Sequence, residues 1–185
     1  QLTKGNEEDK KLNLLSQKGL YQNTLIKDFQ KIPGSPIAYW LDVDFIESFA
    51  QNKSISDITK GATGLQTSNS ERFLRMWWEV SALSNKWSPI AKGGTYRKWF
   101  GNVEHVVNWQ DNGRDIKQYV SDKYPYLNGN YSLVVKNESS YFNDGLLTSR
   151  VTGGKLAFRV KSANEIYADA CTAGFPKDIN YMLGL

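Results

Sequence analysis

Short apolar and aromatic runs, each ended by glycine, proline or asparagine, occupy the middle of this chain. The runs at 73–80, 87–90 and 104–109 are rich in tryptophan, valine and isoleucine, which is typical of strands. For the run 73–80 a short helix is the alternative. No run reaches the roughly 18 apolar residues that a membrane-spanning helix needs. The pattern therefore predicts many short strands joined by turns in the centre of the chain, and no membrane span.

Both ends of the chain have helical patterns instead. Residues 1–31 are polar with spaced leucines and predict one or two short helices. Ser35 and Pro36 have the residue types of an N-cap and a first helical position, and apolar residues follow at helical spacing through Phe49. A final helix is expected to start near Asp178. We therefore expect an α+β fold: a mixed, mostly antiparallel, strand-rich domain with helices at its N- and C-terminal ends.

The predicted elements divide the chain at the Pro-Gly-Ser-Pro cluster. Residues 1–31 are expected to form an N-terminal helical arm or linker from a preceding domain, and residues 32–185 one domain that is cut short at its C-terminus. Within it, a hairpin turn at 92–95 should join strand 87–90 to strand 96–100. The remaining expected elements are a glycine-rich strand or loop at 61–67, strands at 131–135 and 156–160, and a short helix at 115–119 that follows the turn Asp111-Asn112-Gly113.

The residue types that catalysis requires are scarce. The chain has one histidine and one cysteine, and it lacks the HExxH zinc motif, the Walker phosphate-binding loop and the GxSxG nucleophile motif. His105 lies in an alternating run and is expected to be a strand side chain. Cys171 is expected to be a small core residue, as free cysteines usually are. We therefore expect no catalytic residue and no metal site in this chain.

The distribution of charge points to a polyanionic partner. The net charge of +4 and the pI near 9.0 permit such a partner without requiring one. Two segments, 86–98 and 145–163, contain lysine and arginine but no acidic residue. They would form one positive face if the fold brought them together.

Three polar loops carry side chains that suit nucleic acid. Glycines let a backbone approach phosphate closely, lysine and arginine contact phosphate, arginine also reads guanine, and asparagine and glutamine pair with adenine. The composition of each loop, taken alone, favours an ordinary solvated turn over a binding loop. The candidate DNA-binding residues are Lys92, Arg97 and Lys98, then Gln66, Asn69 and Arg72, and then Arg150 and Lys155.

Four motifs in one order resemble a known family. They are IPGSPIAYW at 32–40, GLQT at 64–67 with RFLRMWWEV at 72–80, KGGTYRKWFGN at 92–102 with VNW at 107–109, and FP at 175–176 with YMLGL at 181–185. Together they resemble the adenine-specific DNA methyltransferases of the PglX type, from the phage-defence systems called BREX. The resemblance extends from about residue 29 to residue 185.

The resemblance implies a target-recognition region that follows the catalytic domain of a bacterial, cytoplasmic methyltransferase. Double-stranded DNA would be its partner, other subunits of the defence system could dock to it, and S-adenosylmethionine would bind in the catalytic domain. This segment departs from the family where the chemistry lies. No two of its five prolines are adjacent, so the adenine-binding Asn-Pro-Pro-Tyr motif is absent and no cofactor is expected here.

Two other functions fit parts of the sequence. A protein–protein docking domain of the same defence system would present an exposed apolar patch in place of a basic face. A carbohydrate-binding module is suggested by six tryptophans and ten tyrosines, but it would need aromatic rings aligned on a flat exposed face.

Overall fold

The computed structural model describes residues 5–17, 25–81 and 84–184. The chain divides into two compact units, Gln1–Ser54 and Ile55–Leu185. The division predicted from composition, at 31/32, lies earlier than this one. The predicted boundary stays a prediction, because it separates two functional regions of the family, whereas the two units are defined by contacts within the chain.

The described residues of the first unit contain the helices α1 (Glu7–Leu15), α2 (Ile26–Phe29) and α3 (Val43–Gln51). The first two agree with the short helices predicted in residues 1–31, of which 1–4 and 18–24 lie outside the described residues. Helix α1 starts with a capping box, in which Asn6 Oδ1 accepts from Asp9 N at 2.8 Å and Asn6 N donates to Asp9 Oδ2 at 3.1 Å. A small cluster of Ile32, Ala38 and Ile46, with Leu41 against it, is the core of this unit.

The predicted N-cap at Ser35 is wrong. Helix α3 begins at Val43 with Asp42 as its N-cap residue. Gly34 and Ser35 both have positive φ, at 83° and 47°, and Ser35 N donates to Ile32 O at 2.9 Å. An N-cap residue has extended backbone, so this left-handed turn excludes Ser35 from that position and delays the helix.

The second unit contains two four-stranded sheets. In the first sheet, β1 (Gly61–Thr63), β8 (Cys171–Gly174), β5 (Gly145–Ser149) and β6 (Arg159–Lys161) pair in that order, and all pairs are antiparallel. In the second sheet, β2 (Leu74–Met76), β4 (His105–Asn108) and β3 (Trp87–Ala91) pair antiparallel, and β7 (Ile166–Tyr167) pairs parallel to β3. The expected α+β fold with mixed, mostly antiparallel sheets is confirmed.

Four helices accompany the sheets: α4 (Ile55–Ile58), α5 (Ser70–Phe73), α6 (Gln110–Lys123) and α7 (Ile179–Gly184). One apolar cluster joins both sheets to α6, which contributes the fully buried Ile116 and Val120. Helix α7 agrees with the predicted final helix, whose last residue, Leu185, lies outside the described residues. None of the described helices has the length and apolar character needed to cross a bilayer.

Several predicted strands are shorter or different. Residues 131–135 contain a 3-10 turn, Tyr131–Leu133, in place of a strand. The strand predicted at 156–160 begins only at Arg159, and the run 73–80 contains one short strand, β2, followed by a 3-10 turn. The turn predicted at 111–113 is confirmed. These three residues lie within the bounds of α6, but their φ values of 51°, 60° and 71° are left-handed and not those of an α-helix.

The hairpin predicted around residues 92–95 is also wrong. Strand β3 pairs with β4, so the connection is the long segment 92–104 and residues 96–100 form no strand. Trp99 has a left-handed φ of 74° and forms a parallel bridge with Arg159 instead. This partner is distant in sequence, and a local turn pattern carries no information about it.

Candidate nucleic-acid interface

The 92–99 loop is held to the fold at both ends. At its start, Lys92 N donates to Asn102 O at 2.8 Å, and the amide of Asn102 donates to Thr95 O at 3.2 Å. At its end, Trp99 N donates to Phe158 O at 3.1 Å, and Val160 N donates to Trp99 O at 2.8 Å. The left-handed backbone of Trp99 is therefore fixed by two hydrogen bonds to β6 and the residue before it.

This attachment brings the 92–99 loop against the 148–155 loop, which connects β5 to β6. A narrow cleft between the two loops, here called the basic cleft, is lined by the cations Arg97, Lys155 and Arg159. The other residues that line it are Gly94, Thr95, Tyr96, Thr148, Ser149, Thr152 and Ala157. Ten residues thus include three cations, four hydroxyl-bearing threonines and serines, and no carboxylate. The expectation that the two acid-free segments share one face is met at this cleft.

Arg159 is more deeply buried than Arg97 and Lys155, which are both exposed. It is 2% exposed, and its Nη2 donates to Lys92 O at 3.4 Å and to Cys171 Sγ at 3.8 Å. Cys171 is completely buried, which raises the pKa of its thiol to about 11 even though the adjacent Arg159 charge favours the thiolate. The expectation that Cys171 is a core residue is confirmed.

The 66–72 loop is more closely tied to folding than its composition indicates. Asn69 caps α5 by accepting from Arg72 N at 3.0 Å, and its Nδ2 donates to Tyr119 Oη at 3.3 Å. The guanidinium of Arg72 lies 5.1 Å from the ring centroids of Phe73 and Tyr119. Gln66 is exposed. Gln66 is therefore the candidate in this loop with a freely presented amide, whereas the amide of Asn69 is already engaged.

Lys92 lies between this loop and the basic cleft. It lines a cavity of about 290 Å³ together with Gln66, Asn69 and Asp169, so a carboxylate is present on that side. The neighbouring His105 has a pKa below its usual value, first because it is partly buried and second because Lys92 is positively charged. His105 is the first residue of β4, as expected for a strand side chain.

The two remaining candidates are solvent-exposed. Lys98 Nζ lies 5.3 Å from the ring centroid of Trp99, a cation–π distance. Arg150 follows β5, and its backbone N donates to Ala170 O at 2.9 Å. Trp99 is itself 51% exposed, so it is not a core residue. Among the described residues, no cluster of histidine, cysteine and carboxylate side chains is suited to a metal ion.

Two curated proteins are similar in sequence to this chain, and no family model matches it. The adenine-specific methyltransferase BrxX of Escherichia coli O9:H4 (strain HS) is 40% identical over 153 residues, which cover 78% of this chain and 12% of BrxX. The adenine-specific methyltransferase PglX of Lacticaseibacillus casei (strain Zhang) is 29% identical over 171 residues, 84% of this chain and 14% of PglX. The chain is a homologue of one segment of these methyltransferases. It spans only about an eighth of their length.

In the motifs that carry the resemblance to PglX-type methyltransferases, some residues are required by packing and others are exposed at the surface. Gly93 of the KGGTYRKWFGN motif lies so close to Ala170 that an added Cβ would be 2.6 Å from Ala170 O, which explains a glycine there. Arg97 and Lys98 of the same motif are exposed. A folding role therefore accounts for Gly93 but not for these two cations.

Sequence reasoning did not select Arg159 as a candidate. The signal was present in β6, where Arg159 and Lys161 are buried and Val160 between them is exposed. Because strand side chains alternate between faces, Arg159 and Lys161 share one face of β6, and their burial shows that it is the inner face.

Proposed function

We propose that this segment is the DNA-binding target-recognition part of an adenine-specific, S-adenosylmethionine-dependent methyltransferase of a bacterial phage-defence system. It holds double-stranded DNA in the cytoplasm while the catalytic domain, elsewhere in the parent protein, binds the cofactor and transfers the methyl group. Enzymes that modify a base inside a duplex must hold the duplex while one nucleotide is extruded. A segment with cationic loops suits the duplex-holding part of that division of labour.

The basic cleft is the observation that carries the proposal. Three cations from two separate segments converge on it without a carboxylate, and sequence-independent DNA affinity comes mainly from such contacts to phosphate. Lys92 extends the basic character toward the 66–72 loop, where Gln66 is exposed. The printed names of BrxX and PglX describe adenine-specific methyltransferases, whose substrate chemistry agrees with a duplex-binding segment.

Duplex binding by the purified chain tests the proposal. We expect labelled double-stranded DNA to bind at low salt, with an affinity that falls steeply as salt rises. In the full-length parent, replacement of the 92–99 loop by a neutral loop should abolish methylation of the recognised site, whereas replacement of the exposed residues 128–130 should not. No binding at low salt, together with retained site-specific methylation after the 92–99 replacement, would contradict the proposal.

A protein-docking function has one observation in its favour. Trp77 and Trp78 are 61% and 58% exposed and pack edge to face, with ring centroids 5.6 Å apart. Binding to another subunit of the defence system through this pair would survive high salt, whereas DNA binding would not. Their planes are 87° apart, so the two rings do not form the flat platform that a carbohydrate-binding module needs.

A further inference from the structure

Arg159 is a buried cation that has no counter-charge among the described residues. Its side chain is almost completely buried, and the hydrogen bonds of that side chain to described residues are two long ones through Nη2, at 3.4 Å to Lys92 O and at 3.8 Å to Cys171 Sγ. Nε has no hydrogen-bond acceptor within the described part of the chain, and none of the ion pairs found there includes Arg159. A buried guanidinium in this condition is unfavourable unless an anion compensates it.

The basic cleft provides a route by which an anion could reach Arg159. Arg159 lines the cleft together with Arg97 and Lys155, both exposed at the surface. The free volume of the cleft is about 10 Å³, which is enough for one water-sized group. A single oxygen atom fits this space, whereas a whole tetrahedral anion must remain at the surface.

We propose that the basic cleft binds one backbone phosphate of nucleic acid, with one non-bridging oxygen directed toward Arg159 and the remainder of the group paired with Arg97 and Lys155. This inference rests on the proposed DNA-binding function and makes it more specific. Guanidinium groups form strong charge-assisted hydrogen bonds with phosphate. The hydroxyl groups of Thr148 and Ser149, which also line the cleft, supply further donors to the same oxygens.

The assignment has a consequence for specificity. Contacts to phosphate fix the position of a protein on the duplex but carry no sequence information. Arg97 and Lys155 therefore act as anchors, and base reading falls to exposed side chains outside the cleft, such as Gln66. Loss of either anchor should weaken binding to all duplex sequences by the same factor.

The salt dependence of duplex binding tests the assignment. One phosphate contact contributes about 0.9 to the slope of log K against log salt. Because Arg97 and Lys155 share one phosphate, the double variant R97Q/K155Q should lower the slope by about this amount, and neither single variant should lower it by more. K136Q is the matched control, because Lys136 is exposed and lies outside the cleft. The variant R159M should bind more weakly too, with its folding checked by circular dichroism. A slope for R97Q/K155Q equal to that for K136Q would overturn the assignment while leaving DNA binding intact.

A titration with inorganic phosphate separates this inference from the proposed function. Free phosphate should shift the backbone amide resonances of residues 94–97 and 148–152, and K155Q should weaken the shift, whereas chloride at matched ionic strength should not produce it. If the chain binds no duplex at any salt concentration, the proposed function fails, and this titration alone then tests whether the basic cleft binds an anion. Shifts confined to the cleft would then support an anion site, and their absence would overturn it.

Discussion

Gly64 lies directly against the main-chain carbonyl of Tyr167. A Cβ built on Gly64 would fall 2.1 Å from Tyr167 O, and the next residue, Leu65, donates from its N to the same oxygen at 2.8 Å. Ala168, which follows Tyr167, donates to Ala91 O at 2.9 Å. This close approach therefore places the start of the 66–72 loop beside Lys92, where two of the candidate DNA-binding loops meet.

The first prediction concerns this contact. Gly64→Ala should lower the free energy of unfolding by at least about 1–3 kcal/mol, because the new methyl group can be accommodated only if the backbone moves. Chemical denaturation of the purified chain measures the loss. Gly153→Ala is the control, since nothing lies within 4 Å of a Cβ at Gly153. Equal stability of the two variants would show that the approach of Gly64 to Tyr167 is looser than described.

The second prediction concerns Lys161, which is completely buried and donates to Asn143 O at 2.8 Å and Ser162 O at 3.2 Å. Burial lowers its pKa from 10.5 to about 8, although the nearby Glu165 opposes this effect. Below pH 8 both the folded and the unfolded chain hold the proton. Between pH 8 and 10.5 only the unfolded chain holds it, so the Lys161 contribution to stability increases as pH rises.

Comparison of the wild-type chain with Lys161→Met isolates this contribution. The difference in their free energies of unfolding should shift by on the order of 3 kcal/mol in favour of the wild type between pH 8 and 10.5. Cys171 and the tyrosines also titrate in alkali, but they are present in both proteins and cancel. Denaturant titrations across this pH range measure the difference, and a difference independent of pH would contradict the lowered pKa.

Much of the fold could be predicted from the sequence because its signals are local. The valines of β4 and the turn at 111–113 are determined by neighbouring residues, and both were predicted correctly. The segment 96–100 was not, because the backbone of Trp99 pairs with β6, and only the folded sheet brings these segments together. The Ser35 prediction failed for a local reason, since the preceding Gly34 starts a left-handed turn that the cap pattern does not include.

In the candidate site, too, local features could be predicted from the sequence, whereas contacts between distant segments could not. Local composition identified Arg97 and Lys155 as loop cations, but their convergence on one cleft depends on the pairing of Trp99 with β6. Conversely, Asn69 has the residue type of a base-reading side chain, yet its amide caps α5 and contacts Tyr119. Sequence alone does not distinguish an amide available to DNA from one already used by the fold.

The third prediction concerns the reactivity of Cys171, the single cysteine of the chain. Because the thiol is completely buried and its pKa is raised to about 11, it should react with a thiol reagent only when the protein unfolds. The rate of reaction of Cys171 is measured at pH 8 from the absorbance of the product that a disulfide reagent releases. Addition of denaturant should release one equivalent promptly, which serves as the control. Rapid release from the native chain would instead indicate that the region around Arg159 and Cys171 opens readily.

The last prediction concerns base reading and depends on the proposed function. Gln66 is the exposed amide of the 66–72 loop, and glutamine pairs with adenine through two hydrogen bonds in the major groove. Gln66→Ala should therefore weaken binding to the recognised duplex by about 1–3 kcal/mol, leave binding to unrelated duplexes unchanged and keep the salt slope of the wild type. Competition binding with the two kinds of duplex measures the ratio of the two affinities.

Gln110→Ala, which alters another exposed glutamine, is the control and should change neither affinity. A uniform loss on both duplexes would assign Gln66 to the phosphate backbone, and no loss on either would remove the 66–72 loop from the interface.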